Sequence, residues 1–317
     1  MFGVNMEYVW LIVGFVLLIK GADFFVGGAS SIAGKLKVPS LIIGLTVVSL
    51  GTSLPEAAIS ISASLSGSNA ISLGNVIGSN IFNLLMVVGV SSVILPIVTD
   101  IDVLKRDMPI NIGITVALFL MLFDGKLSRI EAAILLVIFA AYMFLLIFNA
   151  LKHRTEDEGQ QTLSWPKSII FLVVGVAAII GGGQMVVNNA KIIAASLGMS
   201  QALIGLTVVA LGTSLPELVT SVVAAKKGES GLAIGNAVGS SIFNVLFILG
   251  MAGVISPIGA DAEFFTDTGI LIGVSVMMLI FAFTKRKIGR LEGAISTLVY
   301  VAYTAYIIMR SFHVWIF

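Results

Sequence analysis

IIGLTVVSLGTSLPE occupies residues 42–56 and LIGLTVVALGTSLPE occupies residues 203–217, with 13 of 15 positions identical. Downstream, GNVIGSNIFN at 74–83 returns as GNAVGSSIFN at 235–244, with 7 of 10 identical and the same offset of 161. That offset also aligns Pro96 with Pro257, Asp100 with Asp261, and KLSRIE at 126–131 with KIGRLE at 287–292. The chain is an internal duplication, and a duplication constrains a fold more than any single motif does.

The solvent of both copies follows from composition. Of 317 residues, 58% are hydrophobic, 11% are charged and none is Cys, and the mean hydropathy is +1.09. A soluble domain carries about 25% charged residues, so a cytosolic enzyme is excluded. A secreted disulfide scaffold needs cysteines. The net charge of +1 comes without a basic run or face, which argues against nucleic acid as a partner. A bilayer core about 30 Å thick takes roughly 20 apolar residues per helix. Ten spans are predicted near 8–27, 39–65, 71–96, 108–124, 130–149, 168–188, 201–225, 232–257, 269–284 and 291–309. The first apolar run lacks a basic leader and a small-residue cleavage site, and reads as a span, not a signal peptide.

Lys and Arg set the orientation. Thirteen lie in loops after odd-numbered spans and four in loops after even-numbered spans or near the C-terminus, with Lys20 inside the first span. Both termini are therefore expected outside, and the polar linker 151–166 in the cytoplasm of a cell-membrane protein. Residues 1–150 and 167–317 then form two five-span repeats. Five is odd, so the second repeat enters the membrane upside down. The expected fold class is an all-α membrane protein of ten transmembrane helices in two inverted repeats. Inverted repeats with polar segments at mid-depth are the build of secondary transporters.

Of 17 acidic residues, only Glu56 and Glu217 fall near the centre of a predicted span. An acid there costs at least about 2.5 kcal/mol on insertion scales. No basic residue occupies a span centre to pair with either, so the two acids read as a cation site. Ser49, Thr52, Ser53, Glu56, Ser60 and Ser64 share one helix face, and the second copy supplies Ala210, Thr213, Ser214, Glu217 and Ser221. On the third and eighth spans, Asn75, Ser79 and Asn83 recur at steps of four, as do Asn236, Ser240 and Asn244. Pro55 and Pro216 should break the second and seventh spans at Gly51 and Gly212, freeing carbonyls such as those of Ser49 and Ala210. Carboxylate, hydroxyl, amide and carbonyl oxygens, with no Cys and no mid-depth His, suit Na⁺, Ca²⁺ or Mg²⁺. GTSLPE lacks the G-x-S-x-G of a nucleophile elbow, and no His could serve as its base. A transporter without a bound cofactor is expected, not an enzyme.

Paired GTSLPE segments, each followed by GN-x-x-GS-x-I-F-N, resemble the α-repeats of prokaryotic-type sodium/calcium exchangers, in the cation/calcium exchanger superfamily. The resemblance covers nearly the whole chain. It implies an antiporter that exchanges Na⁺ for Ca²⁺ by alternating access. By motif match, Glu56 and Glu217 would hold Ca²⁺ with the carbonyls of Ser49 and Ala210, or of the Thr beside each. Thr52, Ser53, Ser79, Thr213, Ser214 and Ser240 would add oxygens for Na⁺. Asn83 and Asn244 stand where family members often carry Asp, so the site keeps two formal charges. The resemblance, with hydroxyl and amide oxygens in excess of what two ions require, leads us to expect three Na⁺ per Ca²⁺ and so electrogenic exchange. The charge count leads us to expect independence from K⁺. H⁺/Ca²⁺ antiport on the same fold is the alternative, and a Ca²⁺-selective channel belongs to a different class.

Overall fold

A computed structural model describes residues 6–152, 163–198 and 210–311. The described residues are helical almost throughout. In chain order the helices are α1 (Met6–Leu36), α2 (Ser40–Thr52), α3 (Leu54–Leu65), α4 (Asn69–Ile94), α5 (Val103–Asp124) and α6 (Arg129–Lys152). There follow α7 (Trp165–Ser196), α8 (Ala210–Thr213), α9 (Leu215–Lys226), α10 (Ser230–Ile255), α11 (Ala262–Lys285) and α12 (Arg290–Ser311). Eight are long and apolar enough to cross a membrane, and α2 with α3 makes a ninth candidate, bent by 51°. The seventh expected span, 201–225, lies partly outside the described residues, as does most of the linker 151–166.

Burial separates two classes of helix. The most apolar stretches of α4 and α10 are 72% and 78% buried, while those of the other six long helices are 17–39% buried. The two helices that carry GN-x-x-GS-x-I-F-N are therefore the centre, and the rest present apolar sides outward as a lipid-solvated protein must. The helices α1 and α7 are longer than the expected spans 8–27 and 168–188. At 31 and 32 residues they run about 46–48 Å at 1.5 Å per residue, well beyond a 30 Å core. They cross antiparallel at glycine contacts. A Cβ on Gly175 would sit 2.6 Å from Phe25 N, and one on Gly182 would sit 2.7 Å from Leu18 N.

Four short strands tie the copies together. β1 (Ile97–Val98) pairs antiparallel with β4 (Lys287–Ile288), and β2 (Lys126–Leu127) with β3 (Ile258–Gly259). Adding or subtracting the offset of 161 turns the Ile97–Ile288 pair into the Ile258–Leu127 pair. The flanking bonds obey the same exchange: Thr99 N–H donates to Arg286 O, and Ala260 N–H donates to Gly125 O. Each copy thus clasps the other in the same way.

The helix-ending turns nearly repeat as well. Gly67 and Gly228 both hold positive φ, at 76° and 79°. Gly198 (83°) and Gly125 (81°) hold it too, yet their counterparts in the other copy are Lys37 (56°) and Arg286 (50°). A side chain in this region is strained because its Cβ crowds the backbone.

Candidate functional site

Both proline-containing breaks occur at a serine. The helix α2 ends at Thr52, Ser53 takes φ −86° and ψ 8°, and α3 begins at Leu54 with Pro55 in its first turn. In the second copy Ser214 takes φ −92° and ψ 6°, followed by α9 with Pro216 in its first turn. Proline suits a first turn because it has no N–H to leave unsatisfied there. The break is therefore two residues later than expected at Gly51. The Ser49 carbonyl is not freed by it: Ser53 N–H still donates to Ser49 O at 3.1 Å. Ala210 opens α8, and its side chain lies outside what the structure describes.

The breaks aim the serine hydroxyls across the molecule. Ser53 Oγ donates to Glu217 Oε1 at 2.9 Å, and Ser214 Oγ donates to Glu56 Oε1 at 3.1 Å. These two bonds are repeat counterparts, so each copy steadies the other's carboxylate. Ser214 Oγ also lies 3.2 Å from Ser79 Oγ, which brings α4 to the same point. Thr52 Oγ1 donates to Asn236 Oδ1 at 3.0 Å, and Ser240 Oγ approaches Ser49 O at 3.5 Å, which brings in α10. Four elements expected to converge from sequence do converge.

Not every polar residue on the stripes faces the centre. Asn75 Nδ2 donates to Ser60 Oγ and Glu56 O, and Asn236 Nδ2 donates to Ser221 Oγ and Glu217 O. These are braces between neighbouring helices. Ser49 Oγ bonds back to Leu45 O and Thr46 O, an ordinary fate for a helical serine. Thr213 is half-buried beside Ser214.

What remains open is a set of oxygens. Glu56 and Glu217 are 0% and 1% exposed, and Oε2 of each has no hydrogen-bond partner. Asn83 and Asn244 are equally buried, and Oδ1 of each is also without a partner. A buried acceptor left unsatisfied costs about 1–3 kcal/mol, more if charged. Four such acceptors stand at repeat-related positions, and hard oxygens of this kind could hold a cation. Among the described residues no Lys or Arg pairs with either glutamate, and no group of three or more His, Cys, Asp or Glu side chains gathers anywhere. Neutral oxygens must complete any coordination shell.

The sequence reading missed two other buried acids, Asp107 and Asp267. The expected spans 108–124 and 269–284 began just after them. Both are paired. Asp107 takes a forked contact from Arg106, at 2.9 and 3.0 Å, and the Tyr142 hydroxyl at 3.2 Å. Asp267 takes the same fork from Arg310, at 3.0 and 2.8 Å. The contrast is informative, since among the described residues each buried acid except Glu56 and Glu217 has an arginine. The π-wound turns at Gly44–Val48, Asn83–Val87, Val103–Asp107 and Asn244–Leu249 were also missed. Two of them begin at Asn83 and Asn244, and such turns often mark functional positions.

The profile of the family described as sodium/calcium exchanger protein matches residues 6–148 and 167–309. The sodium/calcium exchanger MaX1 of Methanosarcina acetivorans is 36% identical over 95% of this chain and 98% of its own length. The inner membrane protein YrbG of Escherichia coli is 36% identical over 87% of this chain and 88% of its own. Among solved structures, the sodium-calcium exchanger NCX_Mj soaked with 10 mM Na⁺ and zero Ca²⁺ superposes with a TM-score of 0.86. It is 33% identical, with 96% of this chain and 99% of that chain covered.

Proposed function

Because this chain belongs to the sodium/calcium exchanger family, we propose that it moves Na⁺ and Ca²⁺ in opposite directions across the cell membrane by alternating access. The observation that carries this reading is the crossed pair of Ser–Glu bonds, which leaves one free carboxylate oxygen on each side of a buried centre. Glu56 and Glu217 hold Ca²⁺, with carbonyl oxygens near Ser49 and Ala210 completing the shell. The Ser49 carbonyl accepts the Ser53 N–H at 3.1 Å and the longer approach of Ser240 Oγ at 3.5 Å, so it joins the shell when that hydroxyl turns to an ion. Thr52, Ser53, Ser79, Thr213, Ser214 and Ser240 supply oxygens to Na⁺, together with the amides of Asn83 and Asn244. Residues 1–150 and 167–317 form inverted five-span units, with both termini outside and the linker 151–166 in the cytoplasm. The exchanged strand pairing supports the inversion, and the Lys/Arg count supports the orientation.

With both glutamates ionised the empty site carries two negative charges. Ca²⁺ neutralises it, as do two Na⁺, and a third Na⁺ leaves one positive charge on the carrier. We take three Na⁺ per Ca²⁺, since the hydroxyl and amide oxygens exceed what two ions need. Each cycle then moves one net charge, and the membrane potential contributes about 2.3 kcal/mol per 100 mV. A K⁺ bound beside Ca²⁺ would add positive charge at mid-depth with no Asp at 83 or 244 to offset it. Na⁺-driven Ca²⁺ flux into proteoliposomes should therefore persist without K⁺ and vary with an independently clamped voltage. An absolute K⁺ requirement refutes the charge argument, and voltage-insensitive flux refutes the ratio. Flux driven by a proton gradient alone would favour H⁺/Ca²⁺ antiport.

The hydroxyls give a second expectation. Na⁺ has half the charge of Ca²⁺ and depends more on neutral oxygens. Thr52→Ala or Ser214→Ala removes a hydrogen bond of about 1 kcal/mol and should raise half-saturating Na⁺ about fivefold, with a smaller change for Ca²⁺. Equal losses for both ions would show that the Na⁺ ligands are misassigned.

A further inference from the structure

Asn80 lies on α4, directly after Ser79 and one turn before Asn83, and is 1% exposed. Its Nδ2 donates to the backbone carbonyl of Ser241 on α10 at 3.0 Å. Its Oδ1 accepts from Asn244 Nδ2, also at 3.0 Å. The direction of this chain is forced. A backbone carbonyl can only accept, so the end of the Asn80 amide that meets it must be nitrogen. The other end is then oxygen, and Asn244 must answer with nitrogen. The oxygen of Asn244 is what remains, buried and without a partner, one helical turn beyond Ser240.

The second copy cannot do the same for Asn83. The counterpart of Asn80 is Ser241, whose hydroxyl is spent on Ala237 O within its own helix. Both amide atoms of Asn83 are accordingly without partners. Two asparagines at matching positions thus differ in kind: one has a fixed direction, and the other is free to present either end.

Resting on the exchange reading above, we propose that Asn80 is a positioning residue of the ion site. It holds the Asn244 amide oxygen toward the cations, so the two halves of the site ligate Na⁺ unequally. Asn80 itself touches no ion. An oxygen that cannot rotate away binds Na⁺ without first being ordered, and the ordering cost falls on Asn83 alone.

The test is Na⁺-dependent thermal stabilisation of the purified full-length protein in detergent, titrated without Ca²⁺. Asn80→Ser installs the residue that the other copy uses, and should raise half-saturating Na⁺ about tenfold. Asn244→Ala should do likewise. In the Asn244→Ala background, Asn80→Ser should add nothing, whereas in an Asn83→Ala background its effect should multiply. A merely structural role would lower stability in every background and leave the Na⁺ midpoint alone. An unchanged midpoint, or independent effects of Asn80→Ser and Asn244→Ala, overturns the proposal. Should Asn80→Ser not fold, Asn83→Asp and Asn244→Asp decide. A carboxylate at 244 sets an acceptor against Asn80 Oδ1, while one at 83 meets no such opponent, so Asn83→Asp should lower half-saturating Na⁺ more than Asn244→Asp does. Equal behaviour of the two overturns the role of Asn80. No Na⁺ response in the unmodified protein overturns this proposal and the exchange reading together.

Discussion

Glu56→Gln and Glu217→Gln each bring Na⁺-driven Ca²⁺ uptake close to background. Glutamine keeps an oxygen that can accept the Ser214 or Ser53 hydroxyl, so the crossed bonds survive and only the charge is lost. Removing one member of a buried charge pairing costs about 2–5 kcal/mol, which is about 30-fold to several thousandfold in binding. On the reading proposed above, Ca²⁺ meets only two formal charges at this site, and the bulk of its affinity should rest on them. The variants should still insert, because a neutral amide is cheaper in the bilayer than an acid. Radioactive Ca²⁺ uptake into Na⁺-loaded proteoliposomes measures the effect, with a monodisperse elution profile confirming the fold. Wild-type rates in either variant would remove the carboxylates from the mechanism.

The largest loss of stability is expected from Asp107→Ala. Asp107 is fully buried, and its removal leaves Arg106 with only the more distant Asp102, at 3.5 Å, and leaves the Tyr142 hydroxyl without its acceptor. Breaking a buried pair from one side costs about 3–5 kcal/mol. Here the lower end applies, because the Arg106 side chain keeps 21% of its surface exposed. Asp23→Ala is the natural comparison. It breaks the Lys227–Asp23 pair, whose side chains are 36% and 47% exposed, and should cost no more than about 1 kcal/mol. Thermal unfolding in detergent ranks the two, and an Asp107→Ala variant as stable as Asp23→Ala would contradict the assignment.

Much of this architecture was legible because the chain repeats itself. Two Glu–Pro pairs, two serines and two asparagine stripes at one offset located the broken helices, the four converging elements and both carboxylates. What stayed hidden was what depends on partners rather than on periodicity. Asp107 and Asp267 lie at the edges of apolar windows, and their arginines sit in one case next door and in the other on a different helix. The π turns leave no trace in hydropathy, since one extra residue per turn shifts the pattern by less than its own noise. The Ser49 carbonyl was misjudged because Pro55 falls inside the first turn of a new helix, where its missing N–H disrupts nothing. Asn80 was passed over because its partners lie far along the chain on α10, and its role exists only across that interface. The overlong α1 and α7 show that apolar length measures what lipid must cover and says little of where a helix stops.

The two strained turns at Lys37 and Arg286 bear on which way the chain faces. Their counterparts, Gly198 and Gly125, show what the geometry alone prefers. On the orientation proposed above, both glycines lie on the outer face and both basic residues on the cytoplasmic face. A cation fixed at a tight turn resists being dragged across the lipid. On that orientation the little backbone strain that a glycine would avoid is spent on the face where positive charge anchors a loop.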